Sequence, residues 1–209
     1  MIYDDLCIEL DGLSLFKDDD NDLKKRKIID YASLAMDYNK NINITGAKDI
    51  QTFLDEHILD SLLALDIFRD YDNIIDVGSG AGLPSIPLAI MYNDKKFTLC
   101  ESKNKKSDFL LIAKEKLHLT NVNVVSKNVY ELKEKYDTVT SRAFSDIKTL
   151  IRIFKKIKTK NASLIAYKGK LQTIEEELKE INDIHKYDVN IVKLASKEKE
   201  RHLVIIRET

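Results

Sequence analysis

The chain has 209 residues, 44% hydrophobic and 33% charged, with a formal net charge of −1 and two cysteines. That length is roughly one to one and a half average domains, and the near-neutral charge excludes a global pull on nucleic acid, so an anionic partner must meet a local basic patch. Two cysteines, Cys7 and Cys100, exclude a disulfide framework, and no C-x-x-C pair suggests zinc.

The opening "MIYDDLCIEL" lacks a basic segment followed by an apolar run, and no run of about 18 apolar residues occurs. The expectation is a soluble, cytoplasmic, reduced protein with no membrane span and no metal. His57, His118, His185 and His202 are scattered rather than clustered. Only six of the 34 basic residues are arginine.

The acidic stretch 17–22 separates a short leading piece from the first helical pattern, 22–39, with Ile28, Tyr31, Ala32, Ala35 and Tyr38 in period. Residues 40–49 are polar and turn-like, and 55–69 predict a second helix. From residue 73 the pattern changes. "NIIDV" predicts a buried strand and 84–92 a helix. "KFTLCE" (96–101) is a strand, 104–118 a helix, and "VNVVS" (122–126) and "YDTVTSR" (136–142) are strands. A helix over 145–157, a strand over 162–169 and a helix over 170–184 follow. Two alternating runs, 186–194 and 201–208, read as an antiparallel hairpin.

Alternating strands and helices imply an α/β fold. Its sheet has seven strands, mostly parallel, with an antiparallel C-terminal hairpin. This combination resembles the Rossmann-like class I S-adenosylmethionine (SAM) methyltransferases. The expected division is a helical extension over 1–70 and a methyltransferase core over 71–209, forming one compact unit.

The stretch "DVGSGAGLPSIPLAI" (76–90) places Gly78, Gly80 and Gly82 between strand and helix, so backbone N–H groups face a ligand. The spacing G-x-G-x-G lacks the third glycine position of dinucleotide folds, and there is no G-K-[ST] phosphate loop. Asp76 would repel a pyrophosphate but favour the amino end of SAM, directly or through water. Glu101, 23 residues after Gly78, is placed to accept ribose hydroxyls and serves NAD and SAM alike. Pro84 suits a first helical turn, where its missing N–H costs little.

At the fourth strand tip, "TVTSRAFSD", there is no D/N-P-P-Y/F tetrapeptide and no cysteine nucleophile. An acceptor with a free lone pair suits this inventory. Ring N7 of guanine is one, and its methylation needs no general base, only positioning and charge handling. Arg142 is the polar candidate there, for the cofactor carboxylate or a guanine edge, with a structural salt bridge as the alternative.

"DVGSGAGLPSIPLAI", "TLCESKNKKSDFL", "YDTVTSRAF" and "AYKGK" stand in the order found in the bacterial RsmG/GidB proteins. Upstream, "NKNINITGAKD" and "EHILDSL" are similar to that family's helical region, and "RHLVIIRE" to its last strand. The resemblance covers about residues 30–208. It implies a SAM-dependent methyltransferase acting on guanine N7 of 16S rRNA and releasing S-adenosylhomocysteine. The RNA would be met within the small ribosomal subunit or an assembly intermediate, by a monomer. Carried over by position, Gly78, Leu83, Val129 and Tyr130 would contact SAM beside Asp76, Gly80, Gly82 and Glu101, with Arg142 at the cofactor near the acceptor. Asn43, Thr45, His57, Asp60, Lys168 and Arg201 fall on motif positions around the rim. RNA contact is expected for Asn43, Thr45, His57, Lys168 and Arg201.

Ser85 stands where that family usually has glycine, Glu101 where aspartate is commoner, and Glu56 where arginine is common. Lys48, Lys103, Lys105, Lys106 and Lys168 are phosphate contacts or solvated lysines. Two other classes stay open: another class I methyltransferase acting on a small molecule or protein, and a non-catalytic RNA-binding module.

Overall fold

The computed structural model describes residues 21–196 and 199–209. Cys7, the opening "MIYDDLCIEL" and most of the acidic 17–22 stretch lie outside the described residues. Helix α1 (Asn21–Asn39) is followed by a broken helical segment: α2 (Ile50–Phe53), a π-turn (Leu54–Ile58), α3 (Leu59–Leu62) and α4 (Leu65–Phe68). Then β1 (Asn73–Val77), α5 (Ser85–Met91), β2 (Lys96–Cys100), α6 (Asn104–Lys116), β3 (Val122–Val125) and β4 (Tyr136–Arg142) alternate. The series continues through α7 (Ile147–Ile157), β5 (Lys158–Lys168), α8 (Leu171–Lys179), β6 (Tyr187–Lys193) and β7 (His202–Glu208).

The described residues form one seven-stranded sheet in the order β3-β2-β1-β4-β5-β7-β6. The pairs β1–β2, β1–β4, β2–β3 and β4–β5 are parallel, whereas β7 runs antiparallel to both β5 and β6. Central strands are covered on both faces, which is why Ile74, Ile75, Asp76 and Val77 of β1 are all buried. Ile74 joins the core on one face, with α1 to α6; Ile75 and Val77 join the other, with α7 and α8.

Residues before 70 share the first of these cores. Ile28, Tyr31, Ala32 and Ala35 of α1 bury one stripe against it together with Phe53, Leu62 and Phe68. Ile28, Phe53, Leu62 and Phe68 each contribute about 1.5–3 kcal/mol on burial. Tyr31 Oη also donates to Ala81 O at 2.6 Å, which ties α1 to the glycine turn.

The single helix expected over 55–69 is instead broken. It begins earlier, at Ile50, because the Asp49 side chain caps it by accepting from Thr52 N at 2.7 Å. The Leu59 N–H then reaches back to Leu54 O, which inserts one residue into the turn. β5 begins at Lys158, four residues before its expected start, and α8 stops at Lys179, five residues before its expected end. Pro84 is the N-cap residue of α5, and Pro87 lies in its first turn, where no N–H has an intrahelical acceptor. Among the described residues no helix is long and apolar enough to cross a membrane.

Candidate active site

The chain leaves β1 at Val77 and turns through Gly78 (φ 72°) and Gly80 (φ 57°), both in the left-handed region that glycine adopts without a steric penalty. Gly78 N and Ser79 N donate to Cys100 O at 2.9 and 3.3 Å, so the turn leans on the tip of β2. Gly82 serves another need: a Cβ there would lie 2.3 Å from Ile86 Cδ1 and 3.1 Å from Leu110 Cδ2. It lets α5 and α6 close on the turn, and Leu83 packs partly buried against the same core.

Glu101 bridges the turn to the next loop. Its Oε2 accepts from Gly80 N at 3.0 Å and its Oε1 from Lys103 N at 2.8 Å. A carboxylate has about four acceptor positions, so two remain for hydroxyl donors. The longer Glu101 thus keeps its charge at the strand tip while pinning both flanking loops.

A cleft of about 390 Å³ opens above this point, lined by Gly78, Glu101, Val129 and Tyr130 and by residues from four loops. Val129 and Tyr130 sit in a single 3₁₀ turn held by a capping box: Asn128 Oδ1 accepts from Tyr130 N, and Glu131 Oε1 accepts from Asn128 N. Lys156 donates to Tyr130 O and lies 5.8 Å from its ring centroid. Lys103, Lys106 and Lys127 line the cleft as well. None of their ammonium groups has a hydrogen-bond or ion-pair partner among the described residues. Ala143 and Phe144, just past β4, complete the wall.

Asp76 lies fully buried at the foot of the turn. Burial pushes its carboxyl up to about 8; the neighbouring Ser85 and Ser79 hydroxyls oppose the rise and the Glu101 charge adds to it. Among the described residues neither carboxyl oxygen has a hydrogen-bond partner, and nor does Ser85 Oγ. A buried acid left orphaned beside a glycine turn suits a ligand that brings a cation, as the amino group of SAM would. Burial also pushes the Cys100 thiol up to about 12, which leaves it inert as a nucleophile.

Arg142 ends β4 but is not among the residues lining the cleft. Its guanidinium enters the helical layer, where it donates to His57 O and Glu56 O, each at 2.8 Å, and to His57 Nδ1 at 2.9 Å. Asp60, 2% exposed, lies 3.6 Å from it and takes Arg201 Nε at 2.7 Å. An arginine only donates, so His57 Nδ1 accepts and the neutral ring carries its proton on Nε2. Burial, with Arg142 beside it, lowers the His57 pKa to about 4. Glu56 pairs with Lys199.

The other rim residues are spread out. Lys168 is held by Glu177 Oε2 at 2.7 Å and Ser145 O at 2.8 Å. Thr45 Oγ1 accepts from Ala47 N at 3.3 Å inside its own loop, and Asn43 is exposed there.

A family model described as rRNA small subunit methyltransferase G (GidB) matches residues 24–204. The chain belongs to that family. A family relative, "Ribosomal RNA small subunit methyltransferase G" of Brachyspira hyodysenteriae, is 64% identical over 208 residues, covering 99% of this chain and 100% of the relative. The protein of the same name from Francisella tularensis subsp. tularensis is 35% identical over 86% of both chains. Among solved structures, a SAM-dependent methyltransferase from Aquifex aeolicus superposes with a TM-score of 0.61 at 17% identity, covering 84% of this chain and 98% of that one. At that identity the likeness shows the fold, which is the class I methyltransferase fold. This GidB-family chain is thus an rRNA methyltransferase that uses SAM.

Lys127, Asn128 and Phe144 are among the cleft residues that stand apart from the candidate sites read in the sequence. Lys127 and Asn128 lie in a polar loop that resembles any other. Phe144 follows the strand as an apolar residue and reads as core. The one signal for it is the local pattern, a strand-tip arginine followed by a small residue and then an aromatic.

Proposed function

We propose that the cleft binds SAM and presents its methyl group to N7 of a guanosine in 16S rRNA. The observation that carries this reading is the closure of the glycine turn on the tip of β2, with Gly78 N on Cys100 O and Gly80 N on the Glu101 carboxylate. Gly80 leaves the backbone bare, and a buried carboxylate beside it keeps acceptor capacity for ribose hydroxyls. In this reading Val129 and Tyr130 flank the adenine, and Asp76 answers the amino group, directly or through water. SAM supplies an electrophilic methyl group when bound.

N7 has a lone pair and no proton, so the protein's task reduces to alignment, exclusion of water and management of charge. No group in the cleft is poised as a general base: Glu101 is tied to two N–H groups and His57 lies with Arg142. Arg142 acts as a positioning residue that fixes the π-turn against β4. Gly82 and Leu83 support the turn from its core side. His57, through its Nε2–H, and Asn43 and Thr45 are RNA contacts of the rim, while Lys168 and Arg201 brace it.

The substrate is the RNA inside the small ribosomal subunit or an assembly intermediate, met by a monomer in the cytoplasm. A near-neutral surface favours a preformed particle over bare strands. Incubation with labelled SAM and undermethylated small subunits, followed by nucleoside mass analysis, will give 7-methylguanosine. Its absence would refute the reading, and equal methylation of short free oligonucleotides would refute the preformed substrate.

A further inference from the structure

We propose that the face of Phe144 receives the acceptor purine and stabilises the positive charge that the base gains during transfer. The inference rests on the N7 reading above and names the charge-handling residue of that site.

Phe144 is placed, not merely left over. Phe53, Phe68, Phe97, Phe109 and Phe154 are all 1% exposed or less, whereas Phe144 is 44% exposed and lines the cleft. Ala143 takes φ 54°, a conformation that costs a residue with a side chain, and so turns the chain at the tip of β4. The ring then lies over Gly78, with its Cδ2 2.1 Å from where a Cβ would be, so only glycine admits it. It thereby borders both the glycine turn and the strand tip where transfer occurs.

The surroundings offer a developing cation little else. Lys103, Lys106 and Lys127 make the cleft wall positive. Among the described residues Glu101 is the only carboxylate lining it, and both its oxygens already accept backbone N–H groups. The other exposed aromatic, Tyr130, already has the Lys156 ammonium near its ring. No cation lies over Phe144 among the described residues.

In the transfer, the N7 lone pair forms the new N–CH₃ bond while the S–CH₃ bond breaks with its pair going to sulfur. The positive charge moves from sulfur to the purine, and no proton leaves. A ring face carries a negative quadrupole and attracts that cation. The attraction grows as the charge arrives on the stacked base, so it favours the transition state over the bound substrate.

The test replaces Phe144 with mono-, di-, tri- and pentafluorinated phenylalanine, which keep the shape and drain the ring face of charge. Single-turnover methylation of undermethylated small subunits is measured beside SAM affinity by calorimetry. The rate is expected to fall stepwise with fluorine number, by about three- to thirty-fold in all, at constant SAM Kd. Phe144→Trp should retain the rate and Phe144→Leu lose it by a similar factor. A rate flat across the series overturns the proposal. So does a SAM Kd that tracks fluorination at constant rate, since the ring would then meet the sulfonium. If the unsubstituted protein makes no 7-methylguanosine, the N7 reading fails and takes this inference with it; 7-methylguanosine with a flat series overturns the Phe144 assignment alone.

Discussion

A methyl group added at Gly82 would meet Ile86, and one added at Gly78 would meet the Phe144 ring, but one added at Gly80 has no neighbour nearer than 3.8 Å. Gly80→Ala therefore meets only the left-handed backbone penalty, about 1–2 kcal/mol. Gly82→Ala adds overpacking, typically about 1–3 kcal/mol. Urea midpoints should fall further for Gly82→Ala than for Gly80→Ala, while SAM affinity measured on folded protein should fall for Gly80→Ala. Two groups, the buried Asp76 and the half-buried His57, set opposite pH trends. The folded Asp76 holds its proton up to about 8, against the ordinary carboxyl value of 3.8. The folded state then binds more protons across that window, and this group's contribution to stability falls as pH rises, by up to about 1.4 kcal/mol per pH unit. His57, lowered from 6.5 to about 4, binds fewer protons when folded, so its contribution is lost as pH falls from 6.5 toward 4. Asp76→Asn should gain on the parent protein between pH 5 and 8 in urea melts, and His57→Gln should lose less stability than the parent between pH 6.5 and 4. Asp76, Gly80 and Glu101 were legible in the string because the turn is local. The partners of Arg142 were not, since its acceptors lie more than 80 residues upstream.

Between β4 and the helical layer, Arg142 is the connecting piece, and the π-turn is what brings its acceptors within reach. Glu56 O and His57 O of this turn each accept from the guanidinium at 2.8 Å, and His57 O also takes the Ser61 hydroxyl at 2.7 Å. Arg142→Ala removes these bonds and leaves Asp60 with Arg201 as its ion-pair partner. The expected loss is about 1.5–3 kcal/mol in chemical denaturation, the scale of removing hydrogen bonds made by a charged group. Arg142→Lys should recover little, because a single ammonium cannot span the three acceptors that the planar fork reaches. A denaturation midpoint equal to the parent's in either variant would contradict this role. The strands and the long helices were readable from period and burial, down to the limits of β1 and β4. The π-turn was not, because Leu54, Ile58 and Leu62 keep a helical spacing that hides one inserted residue. The early start of the segment did carry a mark, the Asp49 cap, in a stretch otherwise polar enough to pass for a turn.

At the scale of the whole molecule, a net charge of −1 coexists with three unpartnered lysines at one cleft. Binding to small subunits should therefore weaken with salt. Changing Lys103, Lys106 or Lys127 to Ala should each reduce the slope of log affinity against log salt by about 0.7–0.9, read by filter binding at several ionic strengths. Unchanged slopes would place the RNA elsewhere. The order of strands in the sheet also has a consequence for how the chain is made. β6 is synthesised before β7, yet its partner in the sheet is β7, which also closes the outer edge of β5. Until residues 202–208 leave the ribosome, β5 offers a bare apolar edge and β6 has nothing to pair with. A nascent chain stalled in that interval is open to joining its neighbours on the polysome, and the late arrival of one strand ends the hazard for both.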